Sequence, residues 1–166
     1  MTRLLLMRHA KSSWSDPLTS DHDRPLNARG RRDAPRMGRW LVSQSICPDL
    51  ILSSTAERAR TTAQLIAGSW DSEPPVQLCR DLYHSTPETM RETLAVQCRD
   101  ADCIMLVAHN PGIEDLVLES TSRAEHCPTA VIAVIDFARA WSDLLIDPSG
   151  SLAAIWRPKE IPDQDS

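Results

Sequence analysis

Residues 3–14, RLLLMRHAKSSW, join a short apolar run to a cluster of polar and charged residues. The apolar run is typical of a buried strand, which we predict over residues 3–7. It stops at Arg8 and His9, a cation and an imidazole that the core of a sheet accepts only when they have partners. Because ligands of open α/β sheets bind beyond the carboxyl ends of the strands, this stretch predicts a strand that ends at a functional site.

Further apolar runs alternate with amphipathic segments along the chain. The apolar runs predict buried strands over 49–53, 103–108 and 129–137, and strands nearer an edge over 76–79 and 151–156. The amphipathic segments predict helices that begin after the N-cap residue Asn27, span 56–67 and 87–97, and begin near Pro111. Pro35, inside the first helix, predicts a kink or a late start. This alternation indicates a single-domain, three-layer α/β/α sandwich with a mainly parallel central sheet.

Charge and hydropathy argue against several classes of protein. The 166 residues carry a net charge of −5, with basic residues scattered among acidic ones, so we expect no nucleic-acid partner. No segment approaches the roughly 18 apolar residues of a membrane span, and the N-terminal run is too short for a signal peptide. We therefore expect a cytoplasmic protein without a membrane partner. An odd number of irregularly spaced cysteines, with no CxxC pair, indicates neither a disulfide framework nor a zinc site.

Two other predicted strands are followed by residues of the same kind as Arg8 and His9. The strand over 49–53 leads through SSTAERARTTA to Arg58, and the strand over 103–108 leads directly to His109. Two arginines and two histidines at one edge of a sheet would suit phosphate, which arginine binds bidentately. His9 is placed to attack phosphorus through one ring nitrogen, and His109 to stabilise charge in the transition state.

The segments LMRHAKSSW, SSTAERARTTA and VAHNPG resemble the signature segments of the histidine phosphatase superfamily, which is also called phosphoglycerate-mutase-like. The similarity is closer to its small SixA-type phosphohistidine phosphatase branch. The resemblance implies the phosphoglycerate-mutase-like fold and a phosphohistidine intermediate on His9. It also implies phosphate contacts from Arg8, Arg58 and His109, and neither a metal ion nor an organic cofactor.

The resemblance covers most of the chain. It implies a histidine phosphatase domain over residues 1–157, and we expect residues 158–166, PKEIPDQDS, to form a flexible tail. Three polar or aromatic residues near the motifs have two interpretations each. Ser12 and Asn27 either donate to phosphate or serve in turns and caps, and Trp14 either lines the mouth of the pocket or packs at its rim. Of the two polar residues, Ser12 is the candidate for substrate binding.

The sequence departs from the superfamily pattern at one position. Many larger members resemble one another in having a glutamate shortly before a tyrosine in mid-chain, where it protonates the leaving group. Aligned on Tyr83, that position holds Arg80, and the candidate replacements as proton donor are His84 and Asp81. An alkoxide needs such an acid, whereas the imidazole of phosphohistidine, with a reference pKa of about 6.5, carries its own proton.

These observations favour a metal-independent phosphatase that acts on phosphohistidine of a partner protein. The resemblance implies, as target class, a phosphotransfer domain of a signalling relay or a phosphotransferase-system protein. The alternative is a phosphatase for a small phosphate ester, and a third hypothesis is a non-catalytic phosphate-binding module. Mutase activity fits less well, because the short chain leaves little sequence for a cap.

Overall fold

The computed structural model describes residues 1–163, which form a six-stranded mixed sheet. The strands are β1 (Thr2–Arg8), β2 (Leu50–Ser54), β3 (Val76–Cys79), β4 (Cys103–Ala108), β5 (Ile132–Phe137) and β6 (Ser151–Trp156). They lie in the order β3-β2-β4-β1-β5-β6. β3, β2, β4 and β1 are mutually parallel, whereas β5 is antiparallel to both β1 and β6. The predicted mainly parallel sheet is therefore confirmed.

Helices cover both faces of this sheet. α1 (Ala28–Ser43) and α2 (Glu57–Ala67) pack on one face, and α3 (Pro87–Gln97) and α4 (Gly112–Thr121) on the other. Along β1, alternate side chains enter the two cores, which explains why a strand buried on both sides has a continuous apolar sequence. The three-layer α/β/α sandwich is confirmed. Across residues 1–163, no helix is both long enough and apolar enough to cross a membrane.

Two predicted element starts differ from the structure. α1 begins directly after Asn27, whose side chain accepts from the N–H of Gly30 at 2.9 Å, so the late start suggested by Pro35 is wrong. β5 begins at Ile132 and not at residue 129, because Ala130 adopts a left-handed backbone conformation with φ of 64°. The N–H of Ala130 instead donates to the carbonyl oxygens of the last residue of β1 and of the residue after it, which ties this turn to the strand end.

The segment 158–163, expected to be flexible, packs against α1. The side chain of Ile161 is 6% exposed and belongs to the core between the sheet and α1 and α2. Arg36 donates to the carbonyl oxygens of Pro158 at 2.6 Å and Ile161 at 2.9 Å. One buried isoleucine and one arginine thus hold a segment that its polar composition suggested would be loose. The remainder of the expected tail, residues 164–166, lies outside the described residues.

Candidate active site

The predicted site residues meet at one edge of the sheet. Arg8 and His9 lie at the carboxyl end of β1, His109 directly follows β4, and Arg58 lies in the first turn of α2 after β2. The N–H of His9 donates to the carbonyl oxygen of Ala108 at 3.1 Å, which joins the ends of β1 and β4. The imidazole rings of His9 and His109 are 5.1 Å apart between centroids. The convergence expected from the strand order is therefore present in the structure.

The imidazole of His9 is held in one tautomer. Its Nδ1 lies 2.7 Å from the carbonyl oxygen of Ala10, which accepts only, so Nδ1 carries the proton. Nε2 consequently presents a lone pair, toward which Nε of Arg58 donates at 3.3 Å. Burial, together with the charges of Arg58 and Arg8, lowers the pKa of His9 to about 3. At neutral pH the ring is therefore uncharged, has a fixed orientation and presents the Nε2 lone pair to the site.

The imidazole of His109 is oriented by a serine of β2. Its Nε2 lies 2.8 Å from Oγ of Ser54, and that oxygen accepts from the N–H of Ala56 at 3.2 Å. Ser54 can therefore donate its own proton to Nε2, which leaves the proton of a neutral His109 on Nδ1. Nδ1 is buried and has no hydrogen-bond partner among residues 1–163. Burial, with His9 and Arg58 nearby, lowers the pKa of His109 to about 2.

The guanidinium of Arg58 is fixed by a network around Asp21. Arg58 is 3% exposed and donates to the carbonyl oxygen of Asp21 at 2.6 Å and to its carboxylate at 3.1 Å. Tyr83 donates to the same carboxylate at 2.6 Å, and Arg24 donates to it at 3.2 Å. Arg24 also donates to Oγ of Ser12 at 2.5 Å. The Tyr83 hydroxyl and the Arg58 charge hold the pKa of Asp21 well below its usual range, so this carboxylate stays ionised.

Sequence reasoning did not single out Asp21, Arg24, Tyr83 or Ser54 as site residues. Two of them lie in the stretch DHDRPLN, residues 21–27, which resembles the segment that follows the first motif in the SixA-type branch. That similarity was the available signal. The buried side chain of Arg24, 7% exposed in a loop, could not be inferred without the fold.

Arg8 contributes a second cation with a spare donor. Its Nη1 donates to the carbonyl oxygen of Cys127 at 3.1 Å, which fixes the side chain against the loop before β5. Its Nε is buried and bonds to none of the described residues. Burial lowers the pKa of Arg8, but a guanidinium remains charged at any physiological pH. Arg8 and His109 therefore each bring an unsatisfied buried donor to the site, and such donors normally have acceptors.

The two candidate proton donors differ in position. The ring of His84 lies 6.0 Å from that of His109 between centroids, and its Nε2 is 3.7 Å from the carboxylate of Asp21. Asp81 is exposed in the short turn Arg80–Leu82 and lines a separate surface cavity with Arg80. The structure therefore brings His84 close to His109 and Asp21, whereas Asp81 lines a different cavity.

The three residues near the first motif that had two interpretations each make specific contacts in the structure. Asn27 caps α1, as its spacing allowed. Ser12 is 6% exposed and accepts from Arg24, so its own O–H is still able to donate. The ring of Trp14 is 72% exposed and stacks on the guanidinium of Arg24, whose central carbon lies 3.6 Å from the ring centre. Arg24 thus contacts both residues, and Ser12 is buried whereas Trp14 is exposed.

Burial of two neutral imidazoles predicts a stability that falls in mild acid. The unfolded chain takes up protons near the usual pKa of 6.5, whereas folded His9 and His109 do not, so the unfolded state binds more protons below that pH. We expect the free energy of unfolding to fall by up to about 1.4 kcal/mol per pH unit for each histidine between about pH 6.5 and 5. Urea unfolding across this window measures the slope. Replacing both residues by alanine should remove most of it, and an unchanged slope would contradict the burial of neutral rings.

Comparison with known proteins agrees with this geometry. The family model of the histidine phosphatase superfamily (branch 1) matches residues 4–84. An uncharacterized Mycobacterium tuberculosis protein, Rv1276c, is 35% identical over 149 residues, which cover 83% of this chain and 91% of that protein.

Two solved structures superpose closely on this fold. One, from Nakamurella multipartitia, is 28% identical with a TM-score of 0.82, over 95% of this chain and 96% of that chain. The other, from Agrobacterium tumefaciens, is 29% identical with a TM-score of 0.81, over 95% and 98%. Both are provisionally named phosphohistidine phosphatase SixA. The chain belongs to the histidine phosphatase superfamily, in its SixA-type branch.

Proposed function

We propose that this chain is a cytoplasmic phosphatase that removes the phosphoryl group from phosphohistidine on a partner protein, through a phosphoenzyme intermediate on His9. The observation that carries the proposal is the lone pair of His9 Nε2, which is buried beside N–H donors. Two of these donors have no acceptor, and the third now donates to Nε2 and could donate to a bound phosphoryl group instead. Nε of Arg8 and Nδ1 of His109 are unsatisfied, and Nε of Arg58 points at Nε2 itself. A phosphoryl group at Nε2 would supply oxygens to all three.

In the first half of the reaction, Nε2 of His9 attacks phosphorus and the P–N bond to the substrate imidazole breaks. The leaving nitrogen keeps the electron pair of that bond, while a proton on the substrate ring allows it to depart as a neutral imidazole. Negative charge spreads over the three equatorial oxygens of the transferring group. Arg8, Arg58 and His109 are placed to bind those oxygens, and their orientation is fixed before the substrate arrives.

In the second half, water attacks phosphorus on the face opposite His9, and the P–Nε2 bond breaks. The electron pair returns to Nε2, and inorganic phosphate leaves with the hydroxyl of the water. The carbonyl oxygen of Ala10 supports this step, because it accepts from Nδ1 throughout and stabilises the ring while Nε2 carries phosphorus. The proton released by the water passes to bulk solvent at the rim of the site, where the side chain of His84 is 62% exposed.

The choice of phosphohistidine over an ester depends on the proton donors. Asp21 lies in the network but is ionised at neutral pH, since its pKa is well below the usual range, and so it cannot act as an acid. Arg80 and Asp81, at and beside the position of the superfamily glutamate, face a different cavity. An imidazole leaving group does not need the missing acid, whereas an alkoxide loses about 10²–10⁴-fold in rate without it.

Assays on matched substrates test the proposal. We expect kcat/KM for a phosphohistidine peptide to exceed that for a phosphoserine peptide of the same sequence by at least about 10²-fold. His84→Gln should cost the phosphohistidine reaction less than about tenfold, and EDTA should leave it unchanged, since Asp21, the carboxylate of the network, is already bonded to two arginines and a tyrosine.

The opposite pattern would identify a different enzyme. Preference for the phosphoserine peptide, with a loss of 10²-fold or more in His84→Gln, is the result expected of an ester phosphatase that uses His84 as its acid. Arg80→Glu serves as a further control. If position 80 faces away from the pocket, as in the structure, the substitution should not raise ester hydrolysis.

A further inference from the structure

A groove between α1 and the segment 157–163 concentrates positive charge beside the active site. It encloses about 560 Å³, and among the described residues its walls carry six cationic side chains against three carboxylates. The cations are Arg29, Arg32, Arg36, Arg39, Arg157 and Lys159. In a chain with a net charge of −5, this local excess means that the rest of the protein is more acidic still. The cations come from two parts of the chain, α1 and residues 157–159, that the fold brings together, and we call this feature the basic groove.

One end of the basic groove adjoins the catalytic residues. Thr129 lines the groove, and the next residue, Ala130, donates its N–H to the carbonyl oxygens of Arg8 and His9. The first turn of α1 is equally close, because a Cβ on Gly30 would lie 2.2 Å from the carbonyl oxygen of the residue that precedes Ser12. One end of the groove thus lies next to the segment that carries Arg8 and His9.

From that end, the groove runs along α1. Arg29, Arg32 and Arg36 are spaced by three and four residues, so they share one face of the helix over about 10 Å. An extended peptide advances about 3.3 Å per residue, so this length matches three or four residues of a partner chain.

Several of these cations retain unused donors. Arg29 and Arg32 share a single carboxylate, that of Asp33, at 3.8 Å and 3.7 Å, and the side chain of Arg32 is 70% exposed. Lys159 is exposed and makes no hydrogen bond or ion pair with any residue in 1–163. Arg36 differs, since it is committed to the backbone of 158–163 and builds the wall. Arg36 therefore fixes one wall of the groove, whereas Arg29, Arg32 and Lys159 have N–H groups available to a ligand.

We propose that the basic groove binds an acidic segment of the phosphorylated partner, next to the phosphohistidine in the active site. This inference rests on the proposed function. A net-negative enzyme repels an acidic phosphoprotein, and a basic strip that leads into the catalytic pocket reverses that repulsion along the path of the substrate. The groove would select partners by the charge beside the phosphohistidine, whereas the pocket recognises the phosphoryl group itself.

Two synthetic phosphohistidine peptides test this proposal, one with glutamates on one side of the phosphohistidine and the other with glutamines at the same positions. We expect the glutamate peptide to have a kcat/KM about tenfold higher in low salt, with the difference shrinking as salt is added. Arg32→Glu should lower kcat/KM for the glutamate peptide by about fivefold to tenfold and abolish its advantage. The matched control is Arg99→Glu, an exposed arginine before β4 at the opposite edge of the sheet, which should preserve the advantage.

Binding of the unphosphorylated glutamate peptide, measured by fluorescence anisotropy, separates this proposal from the proposed function. Binding that is lost in Arg32→Glu but kept in Arg99→Glu supports the groove even if neither phosphopeptide is hydrolysed. Equal kcat/KM for the two phosphopeptides overturns the groove proposal and leaves the phosphatase proposal intact. Tighter binding of a single-stranded oligonucleotide than of the peptide would assign the groove to nucleic acid and also overturn it.

Discussion

Replacing His9 by alanine should lower kcat for a phosphohistidine peptide by about 10⁴-fold or more, because the reaction loses its nucleophile and the remaining donors can only position water. The backbone of residue 9 keeps its hydrogen bond to Ala108, and the lost ring is one that folding must keep uncharged, so the variant should fold. Steady-state turnover and the melting temperature measure the two effects separately. Added imidazole, which can occupy the space of the missing ring, should restore part of the turnover.

A folded His9→Ala protein with near-normal turnover would contradict the mechanism. If His9→Ala does not fold, His9→Gln replaces it in the test, because glutamine keeps much of the side-chain volume and removes the nucleophilic ring. Near-normal turnover in His9→Gln would likewise contradict the mechanism.

Replacing Arg58 by lysine should lower kcat/KM by about 10²–10³-fold, although the charge is retained. The guanidinium uses its two terminal nitrogens on Asp21 and directs Nε toward His9, a fork that a lysine ammonium cannot reproduce. The loss should appear chiefly in kcat, because the oxygens that Arg58 would bind gain charge in the transition state.

The matched control is Arg60→Lys in the same helix. Arg60 bonds to Glu57 on the outer side of α2 and touches none of the catalytic residues, so its replacement should change kcat/KM by less than about twofold. A loss below tenfold in Arg58→Lys, or equal losses in both variants, would contradict the proposed role of the Arg58 guanidinium in catalysis.

The buried strands were predictable because each is a continuous run of apolar residues. β1 and β4 are continuous apolar runs, buried on both faces of the sheet, and each ends at a histidine that no core would accept unpaired. The start of β5 was not predictable, because it depends on the left-handed conformation of Ala130. Two hydrogen bonds from the N–H of Ala130 to the end of β1 stabilise that conformation. Segment 158–163 was expected to be flexible because its sequence is polar, and that composition gave no sign of the burial of Ile161.

The candidate site shows the same division. His9 and His109 were found because strand ends and motifs mark them. Asp21, Arg24 and Tyr83 were missed because their importance lies in contacts with Arg58 across long separations in sequence, such as the bond between Tyr83 and Asp21. The local sequence pattern indicates how a residue contributes to its own helix, strand or loop. The network that fixes Arg58 joins side chains from three separate parts of the chain, so no local pattern reveals it.

Rapid-quench labelling of the phosphoenzyme tests the central claim most directly. The protein is mixed with a peptide that carries radiolabelled phosphohistidine, quenched in base within the first turnover, and digested for mapping by mass spectrometry. The account predicts base-stable, acid-labile label on His9, at Nε2, which appears before free phosphate and disappears as phosphate is released. Label on another residue, or release of phosphate in the first turnover with no label on the protein, would contradict it.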